Sequence, residues 1–164
     1  MRAVLALVLV LLAPPLAGAH VVVLPAKSQA GGWERYTVLV PTEKESPTVR
    51  VEVRLPKGMD VIAVEAKPGW EGRYEPFPIG AARVEWKGGR VPNGEFVSFE
   101  FLAWNPTAPG DLPWQATQWY EDGSSDRWGA AGTDAHHASR TTLEPGKGPR
   151  GGLHRHAPTE PVRR

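Results

Sequence analysis

Thr48–Leu55 alternates without a break: Val49, Val51, Val53 and Leu55 are apolar, and Arg50, Glu52 and Arg54 carry charge between them. A two-residue period is strand geometry, in which successive side chains point to opposite faces, so this segment reads as a strand with one dry and one wet face. A lone strand leaves its backbone groups unpaired, so the rest of the chain must supply partners. Val21–Leu24, Tyr36–Val40, Val61–Ala66, Ala82–Lys87, Phe96–Trp104, Trp114–Tyr120 and Arg140–Leu143 read as further strands. Turn signals such as Gly31-Gly32, Pro68-Gly69, Gly88-Gly89, Pro92-Asn93-Gly94 and Asp122-Gly123 separate most of them. No window keeps a helical period, and 18 Gly with 17 Pro suit short strands joined by turns. The expected fold is all-β: a single antiparallel β-sandwich of immunoglobulin/fibronectin type, with seven to nine strands.

The two ends of the chain read differently. Arg2 precedes the unbroken apolar run Ala3–Leu12, Pro14-Pro15 interrupts it, and Ala17-Gly18-Ala19 is a small-residue pattern that a signal peptidase accepts. Residues 1–19 are therefore expected to be a signal peptide cleaved between Ala19 and His20, sending the protein to the periplasm or the medium. The run is too short to span a bilayer comfortably, and no transmembrane segment is expected in the mature chain. The domain is expected over residues 20–144. Residues 145–164 hold Gly, Pro, Arg and His with almost nothing apolar, and are expected to be a disordered basic tail. That tail leaves a mildly acidic body, which is no footprint for nucleic acid.

Cleavage after Ala19 gives His20 an unusual chemistry. An N-terminal His offers its α-amine and its ring Nδ1 to one metal ion in a chelate ring, and an α-amine titrates near pH 8. With no Cys, and only Met59 remaining after processing, a soft sulfur cage for Cu(I) is excluded. Nitrogen and oxygen donors suit Cu(II) instead. A hairpin between Val21–Leu24 and Tyr36–Val40 would set His20 opposite a position between Val40 and Glu43, making Glu43 the nearest carboxylate. Glu34 falls at the far end of that hairpin and reads as a solvated strand-edge charge.

These residues also carry a resemblance. His20-Val21-Val22-Val23 directly after a signal, Pro25, Gly32, Val40-Pro41-Thr42-Glu43, Ser46-Pro47-Thr48, Leu55-Pro56 and Pro68-Gly69-Trp70 come in a characteristic order. Trp86, Gly94-Glu95-Phe96, Phe99, Gln118-Trp119-Tyr120, Asp122-Gly123 and Arg127-Trp128 continue it. The whole span His20–Leu143 resembles the YcnI-like copper-binding domain family of bacteria. The resemblance implies an exported β-sandwich that holds one Cu(II) per chain through the amine and imidazole of a single His, completed by a Glu, with a Trp nearby. By position His20 takes the first role, Glu43 the second with Glu95 in reserve, and Trp128 is the nearby indole. It further implies a role in copper trafficking, with exported copper chaperones or a membrane copper importer as partners. Family members often continue into a C-terminal membrane helix, whereas this chain ends in its basic tail. His136-His137-Ala138 stands where the family usually has His-Pro.

Two other readings use the same residues. A second histidine ligand from His136 or His137 would make a two-histidine brace, as in copper-dependent oxidative enzymes. A metal-free immunoglobulin-like interaction module would make His20 replaceable. His154 and His156 in the tail have His-x-His spacing, and their role is open. Seven Trp suggest a sugar-stacking platform, against which stands the habit of sandwiches of burying aromatics between sheets. There is no Gly-x-Ser-x-Gly elbow, hydrolytic triad pattern or phosphate loop, so a binding protein is expected rather than an enzyme.

Overall fold

The computed structural model describes residues 20–75, 83–129 and 138–146. Its strands are β1 (Val22–Leu24), β2 (Lys27–Gln29), β3 (Trp33–Pro41), β4 (Thr48–Arg54), β5 (Asp60–Val64) and β6 (Glu71–Glu75), followed by β7 (Arg83–Val91), β8 (Phe96–Trp104), β9 (Gly110–Pro113), β10 (Gln115–Tyr120), β11 (Ser125–Trp128) and β12 (Arg140–Glu144). They form a four-stranded sheet in the order β1-β3-β8-β5 and a five-stranded sheet in the order β11-β10-β4-β7-β6. A small third sheet has the order β2-β12-β9. Every pairing is antiparallel except β12 with β2. The expected all-β sandwich is thus present, and no described helix is long and apolar enough to cross a membrane.

The two large sheets bury the apolar half of each alternating strand. Tyr36, Val38 and Val40 from β3 and Phe99 and Phe101 from β8 meet Val51, Val53, Val84 and Trp86 of the other sheet, all essentially inaccessible. Each such side chain contributes about 1.5–3 kcal/mol by leaving water. Trp86 stacks on Phe99 with ring centres 4.7 Å apart, and Tyr36 meets Trp114 edge-on at 5.0 Å. Trp86 and Trp114 are buried, and Trp70 and Trp128 pack partly against the core. That distribution is core packing rather than a platform, although Trp33 is exposed.

The β4 pattern needs two corrections. The register of β4 against β7 shifts between Thr48 and Arg50, and Val49 is only half-buried there. Glu52, on the wet face by alternation, is 6% exposed because arginines cover it: Arg50 at 3.7 Å, Arg54 at 3.5 Å and Arg83 at 3.6 Å. Four strands lie outside the segments that the sequence pattern marks: β2, β6, β9 and β11. Their sequences are short and polar, and every residue of β6 is exposed. What makes them strands is backbone pairing with a neighbour, which leaves no hydrophobic period to read.

Candidate metal centre at the start of the first strand

β1 pairs with β3 as Val22↔Leu39, Val23↔Val38 and Leu24↔Thr37. Carried two residues back, this register sets His20 against Pro41, inside the interval expected from the sequence. Val21 and Val23 are buried, whereas Val22 and Leu24 are exposed, so His20 shares the outward parity of the latter two. Pro41 has no N–H to donate, so it closes the ladder at this position. The outer edge of β1 is closed by a side chain: Ser139 Oγ accepts from Val23 N at 2.9 Å and donates to Val23 O at 3.0 Å.

Both proposed carboxylates leave the same end of the sandwich. Glu43 lies two residues beyond Pro41. Thr42 N donates to Glu95 O at 2.9 Å, and Gly94 N donates to Thr42 O at 2.8 Å. The turn that brings Glu95 back requires a positive φ at Gly94 (78°), a conformation costly for other residues. First choice and reserve therefore flank one peptide, Thr42, and both side chains are exposed. Glu34 sits seven residues back along β3, and it is less solvated than expected. Its Oε2 accepts from Ser28 Oγ at 2.7 Å and its Oε1 from Arg35 N at 3.0 Å.

Beneath Pro41 and Thr42 lies a buried polar cluster whose role the sequence did not reveal. Gln118, 1% exposed, donates from Nε2 to Pro41 O at 3.0 Å and to Thr48 Oγ1. Thr48 and Thr42 hydroxyls are 2.6 Å apart. The signal was legible in principle: Ala116, Gln118 and Tyr120 occupy the inward positions of β10, and an amide there must find partners. Beside the cluster, Tyr120 donates to Asp126 Oδ2 at 2.9 Å, and Lys44 Nζ bonds Asp126 Oδ1 at 2.8 Å. Burial, the bond to Asp126 and the charges of Asp126 and Glu43 push the Tyr120 phenol above its ordinary value.

Trp128 ends β11 at the register of Ala116, four residues along β10 from Tyr120, and packs partly on the core. Since β5 and β6 touch at one edge of the sandwich, β1 and β11 are edges of the opposite side. His136, His137, His154 and His156 lie outside the described residues, as do residues 1–19 and most of the expected tail.

No three His, Asp or Glu side chains gather into a metal-holding group among the described residues. Side chains alone do not make a chelate there; an amine released at residue 20 would add a donor. One imidazole, one amine and a carboxylate oxygen form a borderline-to-hard set that fits Cu(II), and Met59, the one sulfur ligand in the described chain, is 2% exposed within the core.

The comparisons with known proteins extend this picture. The family model described as "Domain of unknown function (DUF1775)" matches residues 20–143. The chain is 40% identical over 114 residues to a Bacillus subtilis (strain 168) protein named Copper-binding protein CutI, covering 68% of this chain and 56% of that protein. It thus spans a little over half the length of that relative. A crystal structure of an uncharacterized protein from Nocardia farcinica, described as revealing an immunoglobulin-like fold, superposes with a TM-score of 0.60 at 28% identity. That match covers 76% of this chain and 97% of the other.

Proposed function

Because this chain belongs to the DUF1775 family, which the notable likeness to a copper-binding relative accompanies, we propose that it is an exported copper-binding protein. In this reading the processed chain begins at His20 in the periplasm or outside the cell. It holds one Cu(II) through the His20 amine and imidazole and the carboxylate of Glu43, with Glu95 as the alternative oxygen donor. The metal is cargo: the protein stores it or passes it between exported chaperones and a membrane importer, and catalyses no reaction. The observation that carries this reading is the β1–β3 register, which sets His20 against Pro41 at the sandwich end where Glu43 and Glu95 emerge.

A nitrogen chelate plus one carboxylate neutralises part of the dication's charge and leaves it near solvent, where a partner protein can reach it. Deprotonating an amine whose ordinary pKa is near 8 onto a Lewis acid is accessible at neutral pH. The test is a Cu(II) titration of the secreted protein, its first residue verified by mass, followed by electron paramagnetic resonance. The control carries one Ala before His20, which keeps the imidazole and moves the amine. One-to-one binding lost in the control supports the chelate. Equal or absent binding in the two proteins refutes it.

A further inference from the structure

We infer that Gln118 is a positioning residue for the metal, fixing the Pro41–Glu43 strip so that the Glu43 carboxylate is presented to the ion at His20; this rests on the copper reading above. β10 belongs to the five-stranded sheet and Pro41 to the four-stranded one, so the Gln118 amide bridges the two sheets under the strip that faces His20. Its single nitrogen has two N–H donors, and both are used, one on Pro41 O and one on Thr48 Oγ1. Thr48 then meets Thr42 across 2.6 Å. Two consecutive residues, Pro41 through its carbonyl and Thr42 through its hydroxyl, are thereby held from inside the protein. The next residue is Glu43.

The amide serves folding as well, because its removal takes the donor from the Pro41 carbonyl and the Thr48 hydroxyl. An amide does what an apolar side chain cannot: it sets the direction of the Pro41 carbonyl, and hence the orientation of the peptide leading to Thr42. Outer partners of this kind tune affinity without touching the ion, because a ligand held in place loses less freedom on binding. Glu43 is exposed and sits outside the strand, so its placement depends on the residues before it.

The test is Gln118→Met in the full processed protein. Methionine keeps the length of the side chain and removes both donors. Cu(II) affinity is expected to fall about 10- to 100-fold, and the copper resonance spectrum to shift as the oxygen donor moves. In a Glu43→Gln background the same substitution should weaken binding less than twofold, because the carboxylate it positions is already gone. A folded Gln118→Met protein with wild-type affinity and spectrum overturns the inference while leaving the copper reading intact, as does an undiminished loss in the Glu43→Gln background. Wild-type protein that takes up no Cu(II) overturns both. If Gln118→Met does not fold by circular dichroism, Thr48→Val, which removes the hydroxyl linking Gln118 to Thr42, is held to the same outcomes.

Discussion

Each end of β3 rests on a buried amide, and the two are used differently. At one end Asn105, fully buried, donates from Nδ2 to Ser28 Oγ at 2.9 Å and to Gln29 O at 2.9 Å, while its Oδ1 accepts from Tyr36 at 2.5 Å. Ser28 Oγ in turn donates to Glu34 Oε2 at 2.7 Å. That network joins the four-stranded sheet to the small third sheet and closes on itself within the protein. At the other end Gln118 joins the two large sheets, and its network runs out through Pro41 and Thr42 to the exposed Glu43 and Glu95. The chemistry is the same, two N–H donors on carbonyl and hydroxyl oxygens. What separates a structural tie from a candidate site is where the network ends: in satisfied groups, or in carboxylates that are exposed at the end of the sandwich where β1 begins.

Removing the closed network should have the largest effect on folding. Asn105→Ala takes the acceptor from the Tyr36 hydroxyl and one donor each from Ser28 Oγ and the Gln29 carbonyl, which keeps only Gly32 N at 3.3 Å. At about 1–3 kcal/mol for each unsatisfied buried group, partly relieved by water, the expected loss is about 2–4 kcal/mol. Thermal or urea denaturation reads it. Cu(II) affinity at a temperature where the variant is folded should stay at the wild-type value. A loss of affinity there would break the comparison, since it would couple the Asn105 end to the metal end through β3.

The contrast also marks what a sequence can disclose. β4 and β8 were legible because alternation is a direct print of one buried face, and the β1–β3 hairpin was legible because a turn fixes a register to within a few positions. The position of His20 opposite the Val40–Glu43 stretch was legible for the same reason, since that register carries it there. The exposed β6 left no such print, since its pairing with β7 is made by backbone atoms that every residue shares. Glu52 misled because its three arginines come from β4 itself and from β7, distant in sequence. Gln118 gives no such signal for its partner: only the fold shows that the oxygen it meets belongs to Pro41, 77 positions away.

A second comparison of the two ends is available at high pH. Tyr36 and Tyr120 sit at the closed and open ends, and burial, first among the causes, pushes both phenols above their ordinary value. The folded protein therefore favours the neutral phenol, while the unfolded chain ionises near pH 10. The contribution is fully present below pH 10 and is lost as pH rises through and beyond it. Midpoints of urea unfolding should hold steady up to about pH 10 and then fall. Tyr36→Phe, which also gives up one hydrogen bond worth about 1 kcal/mol, should make that fall shallower and leave the part due to Tyr120. An unchanged alkaline slope would show that Tyr36 ionises as readily folded as unfolded.

The smallest effect concerns the salt bridge outside the open end. Lys44 and Asp126 are each more than a third exposed, so their 2.8 Å pair is screened by water and is worth well under about 1 kcal/mol. Lys44→Met should lower stability by no more than that, read as a small shift in the urea midpoint. The same change removes a cation one residue from Glu43, which raises the negative potential where the ion would sit, so Cu(II) affinity should rise by about twofold at low salt and by less at 0.5 M salt. A large loss of affinity instead would mean that the strip carrying Glu43 is held from outside, by Lys44 on Asp126, and the distinction between the two amides would fail. The geometry argues against that outcome: the tie from Gln118 lies in the dry space between two sheets, where a hydrogen bond has no water competing for it, and the tie from Lys44 lies in solvent.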